Sequence, residues 1–109
     1  TDDPVRTRIT TPAGERTFQE YLVRDGAREE ITGIVMQGVD EARPAPGLLA
    51  AIAAAERIVI APSSPVVSSG TILAVPGVRA ALAARRGDCA AVTPIVGGAA
   101  VEGPAARFL

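Results

Sequence analysis

The sequence predicts an α/β fold, a mostly parallel sheet preceded by an N-terminal antiparallel β-hairpin and incomplete within these 109 residues. Three observations carry that expectation. Apolar and polar residues alternate over residues 5–10, the period of a half-buried strand. Residues 48–93 read helix, strand, helix, strand, which is a βαβ unit with its preceding helix and favours parallel pairing through a right-handed crossover. The two strands in that stretch, RIVI and CAAVT, are short and apolar, as suits a sheet covered on both faces.

In residues 5–10, Val5, Thr7 and Ile9 share one face and Arg6, Arg8 and Thr10 the other. Pro12 and Gly14 supply a reversal. TFQEYLV (17–23) is rich in β-formers and is expected to return antiparallel, with Phe18 and Leu22 on one face and Tyr21 and Val23 on the other. ITGIVM (31–36) reads as a third extended segment after the turn-like RDGAREE. Residues 1–37 thus form a β-hairpin region, and residues 38–109 form the α/β core segment of the same domain. GVDEARPAPG (38–47) is a loop by its prolines and glycines. LLAAIAAAE (48–56) is a helix with Leu48, Ile52 and Ala55 on one stripe, its start marked by Pro46 and Gly47. RIVI (57–60) is a strand and APSSPVVSSG (61–70) a loop. TILAV (71–75) makes one or two helical turns. Pro76 opens the helix PGVRAALAARR, which Gly87 and Asp88 end. CAAVT (89–93) is a strand, PIVGGAAVEGP (94–104) a Gly-rich loop, and AARFL (105–109) the start of a helix.

Hydrophobic residues at 48% and charged residues at 21% place the chain among folded proteins. Aromatics reach only 3%, and alanine supplies much of the apolar fraction, so the core is thin. At about 25 cal/mol per Å² of buried apolar surface, such a chain gains less than one rich in Leu and Phe. Neighbouring polypeptide is therefore expected to supply part of the packing. The opening TDDP and the closing GPAARFL read as internal positions of a longer chain.

A net charge of −1 gives no general attraction for nucleic acid or membranes. Acidic side chains concentrate in residues 1–56, and residues 57–109 are net positive. Every basic residue is Arg, which is consistent with a coding bias of the source genome. Cys89 is the only cysteine, and its plainest role is that of a small core residue; no intrachain disulfide or thiolate cluster is available to this chain. With no His, imidazole catalysis and His metal ligation are excluded within it. No apolar run approaches the roughly 20 residues that span a bilayer, and a cytoplasmic location is expected.

In open parallel sheets, ligands bind beyond the carboxyl ends of the strands. The loops at 61–70 and 94–104 both leave strands at that edge. The first carries Ser63, Ser64, Ser68 and Ser69, with Pro65 among them and Gly70 before a helix. Short hydroxyls and free N–H groups at a helix start suit a phosphate. Plain helix capping by Ser68 or Ser69 explains the same residues equally well. Gly97 and Gly98 either let backbone approach a ligand or form a tight turn. Gln19, Arg43 and Arg79 are further candidate substrate contacts. Asp2 and Asp3 are weak candidates for Mg²⁺, and no carboxylate pair at catalytic spacing stands out.

Four strings, FQEYLVR (18–24), ARPAPGLLAAI (42–52), RIVIAPSSPVVSSGTILAVPGVRAAL (57–82) and TPIVGGAAVEGPA (93–105), run in order through nearly the whole chain. Together they resemble the 2-phospho-L-lactate transferase / phosphoenolpyruvate transferase family of deazaflavin coenzyme biosynthesis. The resemblance implies a Rossmann-like core and a transferase that moves a phospholactyl or phosphoenolpyruvyl group. The donor is linked to guanosine diphosphate, the acceptor is the ribityl hydroxyl of hydroxy-deazariboflavin, GMP is released, and the product lies on the route to coenzyme F420. It also implies Mg²⁺ with ligands outside this chain, a homodimer, and a nucleotide or phosphate loop at residues 63–70 with Gly97 and Gly98 as a second wall. The family usually has Asn where this chain has Ser64, and Ile where it has Ser69. Its N-terminal Gly-rich loop and metal-binding aspartates have no counterpart here, so the 109 residues alone are expected to be inactive. A non-catalytic sugar-nucleotide-binding regulator with the same type of core is the alternative, and a paralogue serving only in assembly is a third reading.

Overall fold

The computed structural model describes residues 1–101. The alternation near the start produces β1 (Arg6–Thr11), which lies between β2 (Gly14–Thr17) and β3 (Gly33–Gln37), antiparallel to both. Ile9 is fully buried on the inner face while Arg6 and Thr10 stand in solvent, as a period of two requires. The buried Thr11 hydroxyl donates to the Gly14 carbonyl at 3.0 Å, which ties down the reversal. ITGIVM is extended as expected and supplies the third strand.

The return strand expected over 17–23 is not there. β2 ends at Thr17, and the chain then coils through Phe18 and Gln19 into a π-helical turn, Glu20–Arg24. The cause is a reciprocal cap. The Thr17 N–H and Oγ1 each lie 2.9 Å from Glu20 Oε2, and the Glu20 N–H donates to Thr17 Oγ1 at 3.2 Å. This is the capping box of a Thr-x-x-Glu sequence, and it outweighs the β-propensity of the aromatic residues inside it. Helical spacing then brings Phe18, Tyr21 and Leu22 to one side, where they pack with Ile9, Ala27, Ile31 and Ile34. A strand would have set Tyr21 opposite Phe18. Tyr21 is completely buried, and its hydroxyl donates to the Glu29 carbonyl at 2.7 Å.

The second half follows the expected order more closely. Helix α1 (Leu48–Ala54), strand β4 (Ile58–Ile60), helix α2 (Thr71–Ala74), helix α3 (Val78–Ala84) and strand β5 (Cys89–Ala91) form the α/β part. β4 and β5 pair in parallel, with Ile58 opposite Cys89 and Ile60 opposite Ala91. Ile52, Val75 and Val78 form its core, with Leu48, Ile58, Ala81 and Leu82 packed around them. The expectation that both faces of this sheet are covered fails among the described residues. Val59 points away from the helices and is 67% exposed, because they cover only the Ile58 side.

Two further corrections concern the loops. APSSPVVSSG is a loop only as far as Ser64; Pro65–Gly70 is a π-helical stretch that runs directly into α2. Residues 94–104 are not one irregular loop in their described part, because β6 (Ile95–Val96) and β7 (Ala99–Ala100) pair as a hairpin. Gly97 and Gly98 form its two-residue tip with φ of 60° and 80°, the left-handed pair that such a reversal demands. The helix expected over 105–109 lies outside the described residues.

The helix that starts at Pro65 joins the two halves. Val66 and Val67 pack against the Tyr21 cluster, and Val75, just past α2, enters the Ile52 cluster. Two small clusters side by side give a flat body, 45 × 35 × 18 Å.

Candidate functional site

Parallel pairing in register sends both strands out at the same edge of the sheet. The ladder extends one bond further, from the Val92 N–H to the Ile60 carbonyl at 3.0 Å. Beyond it lies an open cleft of about 300 Å³. Ser63, Pro65 and Ser69 line one side and Val92, Thr93 and Pro94 the other, over a floor that includes Ile60. Of the two loops singled out from the sequence, 61–70 lines the cleft through Ala61, Ser63, Pro65 and Ser69, whereas 94–104 reaches it only through Pro94; Val92 and Thr93 belong to the segment read as strand.

The helix at Pro65 sets the first wall. Ser64 is its N-cap, and the Ser64 hydroxyl accepts from the Val67 N–H at 3.4 Å. The Ser64 carbonyl accepts from the Ser68 and Ser69 N–H groups at 3.2 and 3.0 Å. Pro65 occupies the first helical position, where its missing N–H costs nothing. The expected cap by Ser68 or Ser69 is thus a misplacement by one turn, since both sit inside the helix. Gly70 is required for packing: a Cβ there would stand 2.8 Å from the Pro65 carbonyl oxygen.

These bonds change what the cleft can offer. Pro65 has no N–H, and those of Val67, Ser68 and Ser69 are already used, so this helix start presents hydroxyls to a ligand more than backbone donors. The Ser63 and Ser69 hydroxyls make no hydrogen bond to any described residue. Thr93 Oγ1 accepts from the Ile95 N–H at 3.1 Å and keeps its own proton to donate. Among the described residues no charged side chain lines the cleft. Two arginines of the basic half, Arg57 and Arg85, lie at the opposite edge, ahead of the strands. There Arg57 pairs with Asp88 at 2.6 Å, and Arg85 reaches the same carboxylate at 3.1 Å.

The remaining candidates lie apart. Ser64, Ser68 and Gly70 shape the wall without lining it, and Gly97 and Gly98 are at the hairpin tip, also outside the lining. Arg43 is bound to Asp3: its N–H donates to Asp3 Oδ2 at 2.7 Å, and its Nε is 3.7 Å away. That N–H and the guanidinium hold the Asp3 carboxyl below its ordinary range. Arg79 is exposed on α3. Gln19 borders a separate notch beside β1. Sequence reasoning passed over Ile60, Val92 and Thr93; being the first residues at or past a parallel strand's end was the signal that could have found them. Among the described residues no group of three His, Cys, Asp or Glu side chains is placed to hold a metal ion. No single described helix is long and apolar enough to cross a membrane.

The chain is a mixed α/β protein with an open, hydroxyl-bearing cleft at the carboxyl edge of its parallel strands, the edge at which open α/β sheets commonly bind ligands. The family model described as 2-phospho-L-lactate transferase CofD matches residues 1–109, and the chain belongs to that family. It is similar to the phosphoenolpyruvate transferase of Kitasatospora aureofaciens, with 51% identity over 99% of this chain and 35% of that protein. Against the phosphoenolpyruvate transferase of Thermobifida fusca, identity is 45% over 96% of this chain and 33% of the relative. With the 2-phospho-L-lactate transferase of Methanosarcina mazei it is 38% over 99% and 35%. The chain spans about a third of the length of these relatives.

Proposed function

We propose that the chain forms the nucleotide-side wall of a transferase that moves a phospholactyl or phosphoenolpyruvyl group from a guanosine diphosphate-linked donor to hydroxy-deazariboflavin. Its family and the transferase names of its relatives support the reaction class. The observation that carries the assignment to this chain is the cleft between the ends of β4 and β5, lined by Ser63 and Ser69, whose hydroxyls are unengaged, and by Thr93, whose hydroxyl keeps its proton to donate.

In the proposed reaction the ribityl hydroxyl oxygen attacks the phosphorus of the phospholactyl or phosphoenolpyruvyl group. The phosphoanhydride P–O bond breaks, GMP leaves, and the hydroxyl proton passes to water. The product stands on the route to coenzyme F420. Ser63, Ser69 and Thr93 hold and orient the donor; apolar neighbours such as Val92 and Leu73 exclude water from it. With no charge in the cleft, neutralisation of the diphosphate falls to groups elsewhere. Mg²⁺ would supply it, but the described residues do not assemble a site for the ion. Its ligands are assigned to polypeptide outside them. A Rossmann-like continuation of the β4–β5 sheet, a homodimer and a cytoplasmic location complete the reading.

The test is steady-state kinetics of the full-length protein carrying Ser63→Ala and Ser69→Ala. The double variant is expected to raise KM for the donor about tenfold, the loss of roughly one hydrogen bond's discrimination, and to leave KM for the deazaflavin acceptor unchanged. An unchanged donor KM, or competition by sugar nucleotides with no turnover of the donor, would overturn the assignment.

A further inference from the structure

We propose that the notch beside β1, bordered by Arg6, Arg8, Thr17 and Gln19, binds a small oxyanion, a phosphate or carboxylate group. The notch shares no lining residue with the serine cleft, and the proposal does not depend on that cleft.

The notch exists because β2 stops early. β2 pairs with β1 only from Arg8 to Thr11, and at Thr17 the chain turns away into its capped helical turn. The β1 edge at Arg6 and Thr7 is left open on that side, and a space of about 450 Å³ lies against it. Phe18 forms an apolar wall. Gln19, on the first turn, brings an amide that both donates and accepts.

Two arginines line this space. Arg6 and Arg8 are two residues apart on one strand and so share a face. Arg6 is exposed and makes no ion pair with a described residue. Arg8 is held through its Nε alone, 3.3 Å from Gln37 Oε1 and 3.7 Å from Glu15 Oε1. Its terminal nitrogens make no hydrogen bond to a described residue, so a planar fork is positioned and left open. That geometry matches a carboxylate or phosphate edge.

The nearby acids do not fill the role. Glu15 is 63% exposed and meets only the Nε side of Arg8. Glu20 is committed to Thr17 and Arg24, and Asp25 to Arg16 and Arg24. The notch is therefore the place among the described residues where cationic forks, an amide and an open strand edge meet. The serine cleft, by contrast, is uncharged. The short open edge and the Phe18 wall favour a small molecule over an extended peptide.

The test is an NMR titration of the ¹⁵N-labelled full chain at constant ionic strength with inorganic phosphate, with acetate and with chloride. Saturable shifts of the amides of residues 6–8 and 17–19 are expected with phosphate, acetate or both, and none with chloride. Whichever saturates identifies the group. Arg6→Gln, on the exposed strand face, is expected to weaken binding at least fivefold with an unchanged melting midpoint; Gln19→Leu gives an independent second variant. No saturation with either anion, equal shifts with chloride, or affinities unchanged in both variants would overturn the proposal.

Discussion

The guanidinium of Arg85, past the end of α3, caps the carboxyl end of α1, with Nη1 3.1 Å from the Ile52 carbonyl oxygen. It also reaches the Ala53 and Ala55 carbonyls, and its Nη2 lies 3.1 Å from Asp88 Oδ2. One side chain thus satisfies the orphan carbonyls of one helix, favours that helix's dipole, and fixes the turn that leads into β5. Arg85→Ala is expected to destabilise the protein by about 2 kcal/mol, the scale of charge-assisted hydrogen bonds lost from a half-buried site. Arg85→Lys is expected to recover less than half, because an ammonium cannot span three carbonyls and a carboxylate. Urea unfolding midpoints check both.

Tyr21→Phe keeps the packing and removes one bond, leaving the Glu29 carbonyl without its 2.7 Å partner. A loss of about 1 kcal/mol is expected, read as a lowered melting temperature with near-native circular dichroism.

Gly70→Ala places a Cβ 2.8 Å from the Pro65 carbonyl oxygen, which is backbone and cannot swing away. The helix that carries Ser69 must shift. A destabilisation of about 1–3 kcal/mol is expected, with weaker donor binding at the cleft. A variant that melts and binds like the parent would refute the packing argument.

Acid sensitivity follows from the N-terminal region. Hydrogen bonds from the Thr17 N–H and hydroxyl hold the Glu20 carboxyl below its ordinary 4.5. The Arg24 side chain does the same for Asp25, below its ordinary 3.8. Folded values below unfolded ones mean that the unfolded chain binds protons first. The stabilisation is present in full above about pH 5 and is lost as the pH falls through the folded values. Glu20→Gln is expected to flatten melting temperature against pH between about pH 5 and 3. An unchanged profile would show that the cap carries no charge-dependent stability.

Much of this architecture was readable from residue patterns. The alternation around Ile9 and the α1 stripe through Leu48 and Ile52 stand where periodicity put them, although α1 ends before Ala55; the apolar runs read as strands at 57–60 and 89–93 are strands over 58–60 and 89–91. The meeting of the two strand-end segments also followed from parallel pairing alone. What was missed were local signals overruled by louder ones. Thr17 and Glu20 spell a capping box, but the β-rich residues between and after them read as strand. Ser64 followed by Pro65 is a helix start, but four serines read as loop. For Gly97 and Gly98 the tight turn, one of the two readings offered, is what the hairpin tip shows. The uncharged cleft was not legible, because net charge over half the chain does not say that Arg57 and Arg85 sit at the other edge of the sheet, bound to Asp88.

The central claim is that the hydroxyl-lined cleft past β4 and β5 receives the donor nucleotide. Amide chemical shifts of the full-length protein titrated with GDP test it most directly. The account predicts that the largest saturable changes fall on residues 61–69 and 91–94, and that Ser69→Ala weakens the binding about threefold, part of the loss expected of the double variant. Saturable changes confined to other residues, with these two segments unmoved, would contradict it.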